Sequence, residues 1–241
     1  MTHAEVRKDV AKEIHKLAEE GLGPIVVHGG GPYIKETLDK TNIAHHFVRG
    51  LRVTTPESLP IIEQVLTLLN KELSQEIGNA IGLTGRDAHV LIAKTFDEKL
   101  GLVGKITHVN ASLLKRLLGV GLTPVLACIA EGTTGGILNV NADEVAGAVA
   151  GELNLPVVFL TDVLGVLDDP QDKHSLLKTL NATDIQTRVK DGRISGGMIP
   201  KVEAALGALE RGASYAVIAD GRDASYLRPA VQGQSGTRIT L

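Results

Sequence analysis

The sequence predicts an α/β fold, and three features support this class. Apolar residues make up 43% of the 241 residues, and 27 residues are glycines. The apolar runs are rich in valine, isoleucine and leucine, which is typical of strands that are buried on both faces. Segments whose apolar residues recur at helical spacing alternate with these runs. The length allows one large domain or two modest ones with a substantial core.

Charge and composition argue against several classes of partner. A net charge of −3 argues against broad binding to nucleic acid or membranes, and with 2% aromatic residues the chain offers little stacking surface for single strands. Cys128 is the sole cysteine in the sequence, so we expect a reducing compartment and a core position for this thiol. No apolar run reaches ~18 residues and no signal-peptide pattern opens the chain, which predicts a cytoplasmic protein.

The first elements follow from capping patterns and glycines. Thr2-His3-Ala4-Glu5 has the pattern of a capping box, and the helix that it opens should end at Gly21. Residues 24–28 indicate a short buried strand, which leads through three glycines at 29–31 into a helix over about 33–40. In such a strand–glycine–helix junction, backbone N–H groups can approach an anion closely.

The alternation of strands and helices continues to the end of the chain. Residues 47–54 indicate a hairpin or bent strand, in which Arg52 either holds a carboxylate or faces solvent. Asp162 should follow a strand, at the edge where open α/β sheets bind ligands. Further helices are predicted over about 56–80, 111–118 (capped by Asn110), 143–153, 176–190, 198–211 and 223–231, and strands over 88–96 and 101–109 (as a hairpin), 123–130, 156–160, 214–219 and 237–241, the last at a sheet edge.

A second anion site is predicted where residues 195–201 enter a helix. Two glycines precede it, and Pro200 is tolerated only in a first turn, so the helix should begin near Gly197 or Met198. Lys201 then lies about one turn in, beside N–H groups that have no partner inside the helix. The helix dipole and the ammonium group would attract phosphate together.

Several common motifs are absent from the sequence. Neither glycine loop has the Gly-Lys-Ser/Thr spacing of a Walker A loop, and Gly21-Leu22-Gly23 precedes a strand, whereas a dinucleotide fingerprint follows one. No cluster has the spacing of zinc ligands, and no Gly-x-Ser-x-Gly elbow occurs. We therefore expect no metal site built by protein side chains alone and no serine hydrolase.

Five blocks of sequence together resemble the amino acid kinase family. They are His28-Gly-Gly-Gly-Pro, Gly50-Leu-Arg-Val-Thr54, Asn139-Val-Asn-Ala-Asp143, Thr161-Asp-Val-Leu-Gly-Val-Leu-Asp168 and Ser195-Gly-Gly-Met-Ile-Pro-Lys201. The resemblance continues to Gly236-Thr-Arg238. It implies a single domain over 1–241, with an open, mainly parallel sheet sandwiched between helices in three αβα layers. An amino-acid lobe would occupy about 1–155 and a nucleotide lobe about 156–241.

The resemblance also implies an activity and a set of site residues. The reaction would move the γ-phosphoryl group of ATP, with Mg²⁺, to the side-chain carboxylate of N-acetyl-L-glutamate in arginine synthesis, and a homodimer is expected. Lys201 would stabilise the transition state, and Asp143 would orient the lysine ammonium groups. The substrate would be held by Gly30, Gly31, Arg52 and Asn139, and the nucleotide by Asp162, Val163, Leu164, Gly165, Val166, Leu167, Arg193, Ile194 and Ser195.

The resemblance breaks at the amino terminus and leaves two alternatives. Members of the family begin with a strand ending in Lys-x-Gly-Gly, which this sequence lacks. We therefore expect a sheet without its first strand, a site without its second lysine and lower turnover than from a longer reading frame. One alternative is a sister kinase for another carboxylate, such as carrier-linked aminoadipate. The other is a catalytically impaired form that binds ligands without turnover.

Overall fold

The computed structural model describes residues 4–169, 171–172 and 174–241. Thr2 and His3 of the predicted capping box lie outside these ranges. The chain divides into two compact units, one up to Val145 and the other from Ala146 to Leu241. Each unit contains strands flanked by helices, so the predicted α/β class is confirmed. None of the helices in the described part is long and apolar enough to cross a membrane.

The strands and helices are numbered along the chain. The strands are β1 (Val26–His28), β2 (Phe47–Val48), β3 (Leu51–Arg52), β4 (Ala80–Thr84), β5 (Leu91–Thr95), β6 (Val103–Val109), β7 (Thr123–Ala127), β8 (Ile129–Gly132), β9 (Ile137–Val140), β10 (Val157–Thr161), β11 (Thr179–Asn181), β12 (Ala216–Asp220) and β13 (Thr237–Thr240). The helices are α1 (Ala4–Glu19), α2 (Gly31–Lys40), α3 (Ser58–Ile77), α4 (Ala111–Gly119), α5 (Ala142–Leu153), α6 (Ala182–Lys190), α7 (Met198–Glu210) and α8 (Leu227–Val231).

A parallel sheet in the order β1-β7-β4 forms the centre of the first unit. All five residues of β7 are buried, as expected for a central strand. Helix α3 packs on β4 and β7 through an apolar face that includes Ile62, Leu66 and Leu73. Glycine at position 82 permits close contact there, because a Cβ at Gly82 would lie 2.1 Å from Asn70 Oδ1.

Two smaller β structures complete the first unit. Strands β2 and β3 form the hairpin predicted over 47–54. Strands β5, β6, β9 and β8 close into a small barrel, in which β5 and β6 pair antiparallel as predicted. The closure itself was not predicted, because it depends on the parallel pairs β5–β8 and β6–β9, which are distant in sequence.

The sheet of the second unit has the order β10-β12-β13-β11. Strands β10 and β12 run parallel, with Thr161 opposite Asp220 at their carboxyl ends. Strand β13 pairs antiparallel with β12 and parallel with β11. Helix α7 packs on β12 and β13, and α8 packs on β10 and β12. The carboxyl ends of β10 and β12 therefore lie side by side.

Some predicted elements were wrong in their extent or position, and β4 was not predicted. The helix predicted over 223–231 starts only at Leu227, after a 3₁₀ turn over Ala224–Tyr226, and the strand predicted over 88–96 starts only at Leu91. Residues 123–130 form two strands with a break at Cys128, because β7 joins the parallel sheet and β8 joins the barrel. The helix predicted over 176–190 starts only at Ala182, since residues 179–181 pair with β13. For the same reason β13 lies between two strands and is not a sheet edge.

Candidate functional site

A cavity of about 200 Å³ opens in the first unit beside the glycine loop that follows β1. The substrate-binding residues predicted from the sequence, Gly30, Gly31, Arg52 and Asn139, all line this cavity. The other lining residues are Gly29, Ile34, Phe47, Gly50, Leu51, Leu66, Val103, Cys128, Val140, Asn141 and Ala142. The structure thus gathers into one place four residues that are spread over more than a hundred positions of sequence.

Arg52 brings a positive charge into the wall of this cavity. Its side chain lies over the Phe47 ring, with 4.6 Å between Cζ and the ring centroid, and Nη2 donates to the Gly31 carbonyl oxygen over 3.2 Å. The residue is 9% exposed, and its buried Nη1 has no hydrogen-bond partner among the described residues. Burial lowers the pKa of the Arg52 guanidinium, while the charge of Asp39 opposes this shift. A buried guanidinium with an unused donor favours binding of a carboxylate.

The glycine loop supplies backbone donors to the same cavity. Gly30 is the N-cap of α2 and Gly31 is its first residue, so the N–H groups of this turn have no acceptor inside the helix. A Cβ at Gly30 would lie only 2.9 Å from Leu66 Cδ2 on α3, so a larger residue at position 30 would crowd this helix. The turn is therefore both positively polarised and closely packed from behind.

Two asparagines, Asn139 and Asn141, also line the cavity. Asn139 Nδ2 donates to Thr54 Oγ1 over 3.0 Å, and Thr54 is fully buried. Asn141 Oδ1 accepts from the backbone N–H groups of Asp143 and Glu144 over 2.8 and 3.1 Å, so it caps α5. Asp143 therefore lies in the first turn of a helix, as predicted. Asn141 was not predicted as a lining residue, although its position before an apolar-periodic segment is a capping signal.

Cys128 lines the cavity but is not a nucleophile. The thiol is 2% exposed and Sγ donates to the His28 carbonyl oxygen over 2.9 Å. Burial raises the pKa of the Cys128 thiol, so the neutral form persists. The core position predicted for this residue is confirmed.

In the second unit, Lys201 lies in the first turn of α7. The helix begins at Met198 with Gly197 as its N-cap, as predicted from the position of Pro200. Lys201 is half-buried. The free N–H groups predicted for this turn are not found: Met198 N and Ile199 N each donate over 3.3 Å, to the carbonyl oxygens of Ser195 and Gly196, and Pro200 has no N–H. Of the predicted donors to an anion, this leaves the ammonium group of Lys201.

The segment over 162–167 follows β10 and is fixed by hydroxyl groups. Val163 N donates to Thr161 Oγ1 over 3.1 Å, and Val166 N donates to Thr237 Oγ1 over 2.8 Å. Gly165 has φ of 150°, and a Cβ there would lie 2.7 Å from Thr237 Oγ1. Asp162 is exposed at the carboxyl end of the strand, with Leu164 and Leu167 further along the same segment.

The segment over 193–195 precedes α7. Arg193 Nε donates to Asp191 Oδ2 over 2.9 Å, and its Nη1 donates to Asp168 Oδ1 over 3.2 Å. Hydrogen bonds from Arg188, together with the charge of Arg193, hold the pKa of the Asp168 carboxyl below its usual range. Ile194 is buried and Ser195 is exposed. Arg193 is thus engaged by carboxylates at this surface.

A second cavity, of about 120 Å³, lies within the second unit. Of the predicted nucleotide-binding residues, Leu164 alone lines it; the other lining residues are Leu176, Lys178, Asp220, Tyr226, Gln234, Ser235 and Gly236. None of these other lining residues was predicted from the sequence as a site residue. Asp220 could have been predicted from the sequence, because it stands at the end of the buried strand β12. Asp162, which was predicted, likewise follows the buried strand β10. Hydrogen bonds from Arg222 lower the pKa of the Asp220 carboxyl.

Comparison with known proteins agrees with this arrangement. The sequence pattern of the amino acid kinase family matches residues 1–220. An acetylglutamate kinase of Deinococcus radiodurans is 51% identical over 240 residues, which cover 99% of this chain and 96% of that protein. An acetylglutamate kinase of Thermus thermophilus is 46% identical over 220 residues, with 89% and 87% covered.

A solved structure also resembles the fold. A protein from Streptococcus mutans superposes with a TM-score of 0.81 at 27% identity, and the match covers 95% of this chain and 91% of that one. The similarity in sequence and in structure thus extends over nearly the whole chain. The chain belongs to the amino acid kinase family.

Proposed function

We propose that this kinase transfers the γ-phosphoryl group of ATP to the side-chain carboxylate of N-acetyl-L-glutamate, a step of arginine synthesis. The observation that carries the proposal is the cavity beside the glycine loop, into which Arg52 brings a buried guanidinium with an unpartnered Nη1. N-acetyl-L-glutamate has two carboxylates and an amide, and this wall offers a guanidinium, helix-terminal N–H groups and asparagine side chains. The names of the relatives in Deinococcus and Thermus support the same substrate.

The proposed reaction makes one bond and breaks one. An oxygen of the side-chain carboxylate attacks the γ-phosphorus, and the bond from that phosphorus to the bridging oxygen breaks. The electron pair leaves with ADP, and the product is an acyl phosphate. Such a transfer needs positioning and positive charge more than covalent chemistry from the protein.

The residues of this chain divide these tasks. In our proposal Gly30, Gly31, Arg52 and Asn139 bind and orient the acyl amino acid in the first unit. Lys201 stabilises the negative charge of the phosphoryl group. That charge would otherwise repel the incoming carboxylate. The role of Asp143 is to orient ammonium groups by its negative charge. The nucleotide is assigned to the segments over 162–167 and 193–195 in the second unit.

Mg²⁺ would enter with the ATP phosphates. No group of three or more His, Cys, Asp or Glu side chains that could hold an ion occurs in the described part of the chain. A site with few protein ligands suits Mg²⁺, because most of the oxygen atoms that coordinate this ion come from phosphates and water. Asp162 offers an exposed carboxylate for this purpose. When bound, the ion neutralises phosphate charge.

The test is a panel of acyl acceptors with ATP and Mg²⁺. N-acetyl-L-glutamate, L-glutamate, N-acetyl-L-aspartate and a carrier-linked aminoadipate are compared, and the acyl phosphate is trapped with hydroxylamine. We expect the largest kcat/KM with N-acetyl-L-glutamate. A preference for carrier-linked aminoadipate would support the sister kinase, and nucleotide binding without any turnover would support the ligand-binding module.

The expected homodimer and cytoplasmic location belong to the same proposal. Light scattering on the purified protein tests the first, and fractionation of the source cells tests the second.

A further inference from the structure

A buried polar network lies directly beneath the glycine loop. His28, the last residue of β1, places Nδ1 3.0 Å from the Gly29 carbonyl oxygen and Nε2 3.0 Å from Asn70 Nδ2. Asn70 Nδ2 is also 2.9 Å from the Val125 carbonyl oxygen on β7. Asn70 is 1% exposed and His28 is 9% exposed, so water does not replace these bonds easily.

These contacts fix the protons of the network. If the Asn70 amide were turned over, its oxygen would face the Val125 carbonyl oxygen, and two acceptors would oppose each other. The amide nitrogen therefore donates both to Val125 and to His28 Nε2. Since Nε2 is an acceptor, the ring proton is on Nδ1 and is donated to the Gly29 carbonyl oxygen.

Packing leaves Asn70 little freedom to move. Asn70 Oδ1 packs closely against Gly82 of β4, where an added Cβ would lie only 2.1 Å from it. Strand β4 therefore blocks one side of the amide. The backbone carbonyl oxygen of Asn70 accepts from Ser74 Oγ over 2.7 Å. The side chain is thus confined by β4, while its amide is bonded to β1 and β7.

We propose that Asn70 is a positioning residue for substrate binding, which acts through the neutral Nδ1–H tautomer of His28 on the peptide that opens the glycine loop. His28 holds the Gly29 carbonyl group, and the next two residues, Gly30 and Gly31, line the cavity. A shift of that peptide moves the donors of Gly30 and Gly31 together. This inference rests on the proposed function for its kinetic consequence, but the tautomer is independent of any substrate.

Two measurements test the proposal. The first is the ¹⁵N–¹H spectrum of the histidine rings in the wild-type protein, assigned with a His28→Gln variant. A neutral His28 with its proton on Nδ1 is expected, and a proton on Nε2 would overturn the network.

The second measurement compares steady-state kinetics of three variants. Asn70→Ala should raise KM for N-acetyl-L-glutamate roughly tenfold or more and leave KM for ATP unchanged, because misplaced donors weaken positioning. Asn70→Ser shortens the side chain and removes the amide donor from His28, so it should show the same selective rise. Ile77→Val, two turns along α3 at a position that is 2% exposed, is the matched control for lost packing and should leave both KM values as in the wild type.

The outcomes separate the possible causes. A rise of both KM values in Asn70→Ala and Asn70→Ser, or an equal change in Ile77→Val, would show a structural role and overturn the proposal. An unchanged KM for N-acetyl-L-glutamate in Asn70→Ser would do the same, even if Asn70→Ala does not fold. If the wild-type protein phosphorylates no acceptor, the proposed function fails; binding of N-acetyl-L-glutamate, measured by calorimetry in the same variants, then replaces KM as the readout.

Discussion

Arg52 is the residue on which the proposed substrate depends most directly, because it lines the cavity, its buried Nη1 has no hydrogen-bond partner and its Nη2 is already bonded to Gly31. Arg52→Lys keeps the charge but loses the planar fork. We expect kcat/KM for N-acetyl-L-glutamate to fall about 100-fold, since a hydrogen bond to a charged group is worth roughly 1.5–3 kcal/mol. Arg49→Lys is the matched control, because Arg49 is exposed at the tip of the same hairpin. Equal losses in the two variants would argue against a carboxylate at Arg52.

Lys201 is expected to act on the chemical step. Lys201→Ala removes an ammonium group from the first turn of α7 and replaces it with a residue that favours helix. Loss of one donor to a developing charge typically lowers kcat by roughly 10²–10³. We therefore expect kcat to fall far more than KM rises, measured by steady-state kinetics with both substrates. Lys190→Ala, at the exposed end of α6, should keep wild-type kcat; unchanged kcat in Lys201→Ala would refute the role.

His28 links the stability of the fold to pH. Burial lowers the pKa of the His28 imidazole, and the hydrogen bond to Gly29 opposes the shift only in part. Below the ordinary histidine pKa of about 6.5, the unfolded chain therefore binds a proton that folded His28 does not, and the free energy of unfolding falls as pH is lowered. Above that pH the contribution is fully present.

The measurement is urea unfolding of wild type and of His28→Gln between about pH 7.5 and pH 5.5, a range that contains the ordinary pKa of histidine. The wild type should lose more stability on acidification than the variant, which has no titrating group at this position. Parallel pH dependences would mean that His28 is protonated as easily in the folded protein as in the unfolded chain.

At the scale of elements, helix α6 begins at a defined cap. Asn181 Oδ1 accepts from Asp184 N over 2.9 Å, and Asp184 Oδ2 accepts from Asn181 N over 3.4 Å. Asn181→Ala should lower the free energy of unfolding by about 1 kcal/mol. Chemical unfolding monitored by circular dichroism measures the loss. Gln186→Ala, at an exposed position of the same helix, should change stability very little, and a similar loss in both variants would contradict the cap.

The same element shows what the sequence could and could not predict. The sequence predicts one helix over 176–190, because leucines in its first part fit helical spacing. In the structure residues 179–181 are a strand, since β13 lies alongside them, and a partner about sixty residues away is not visible in local spacing. Helix α7 was predicted to within a residue at each end, because Pro200 and the glycines before it are local signals. Local signals thus predict helix ends, whereas pairing decides strands.

The candidate site shows the same difference between what local sequence signals predict and what depends on strand pairing. The resemblance to the amino acid kinase family predicted Gly30, Gly31, Arg52 and Asn139 as one binding group, and the structure brings them to one cavity. It did not predict Phe47 under Arg52, because that contact depends on the register of the β2–β3 hairpin. The residues of the second cavity were missed for a similar reason, since they come from five separate segments of the second unit.

At the scale of the whole molecule, the two compact units allow the ligands to be assigned separately. We expect N-acetyl-L-glutamate to slow amide hydrogen exchange at 29–31, 50–52 and 139–142, all in the first unit. A non-hydrolysable ATP analogue with Mg²⁺ should slow exchange at 162–167 and 193–195, in the second. Each ligand at about 100 times its Kd stabilises the folded protein by about 2.7 kcal/mol. Local opening at the binding segment then becomes less frequent, and amide exchange there becomes measurably slower.

Hydrogen exchange followed by mass spectrometry with each ligand alone decides between the assignments, because it reports on both units in one sample. Arg52→Lys serves as the control: it should lose the protection caused by N-acetyl-L-glutamate and keep the protection caused by the nucleotide. Protection by N-acetyl-L-glutamate confined to 162–167 and 193–195 would reverse the assignment of the two ligands. Protection by the nucleotide at 29–31, with none at 162–167, would contradict the anion role of the segment after β10. Since the glycine turn of α2 offers N–H groups to an anion and the first turn of α7 carries the ammonium group of Lys201, this comparison tells which of them takes the carboxylate and which the phosphate.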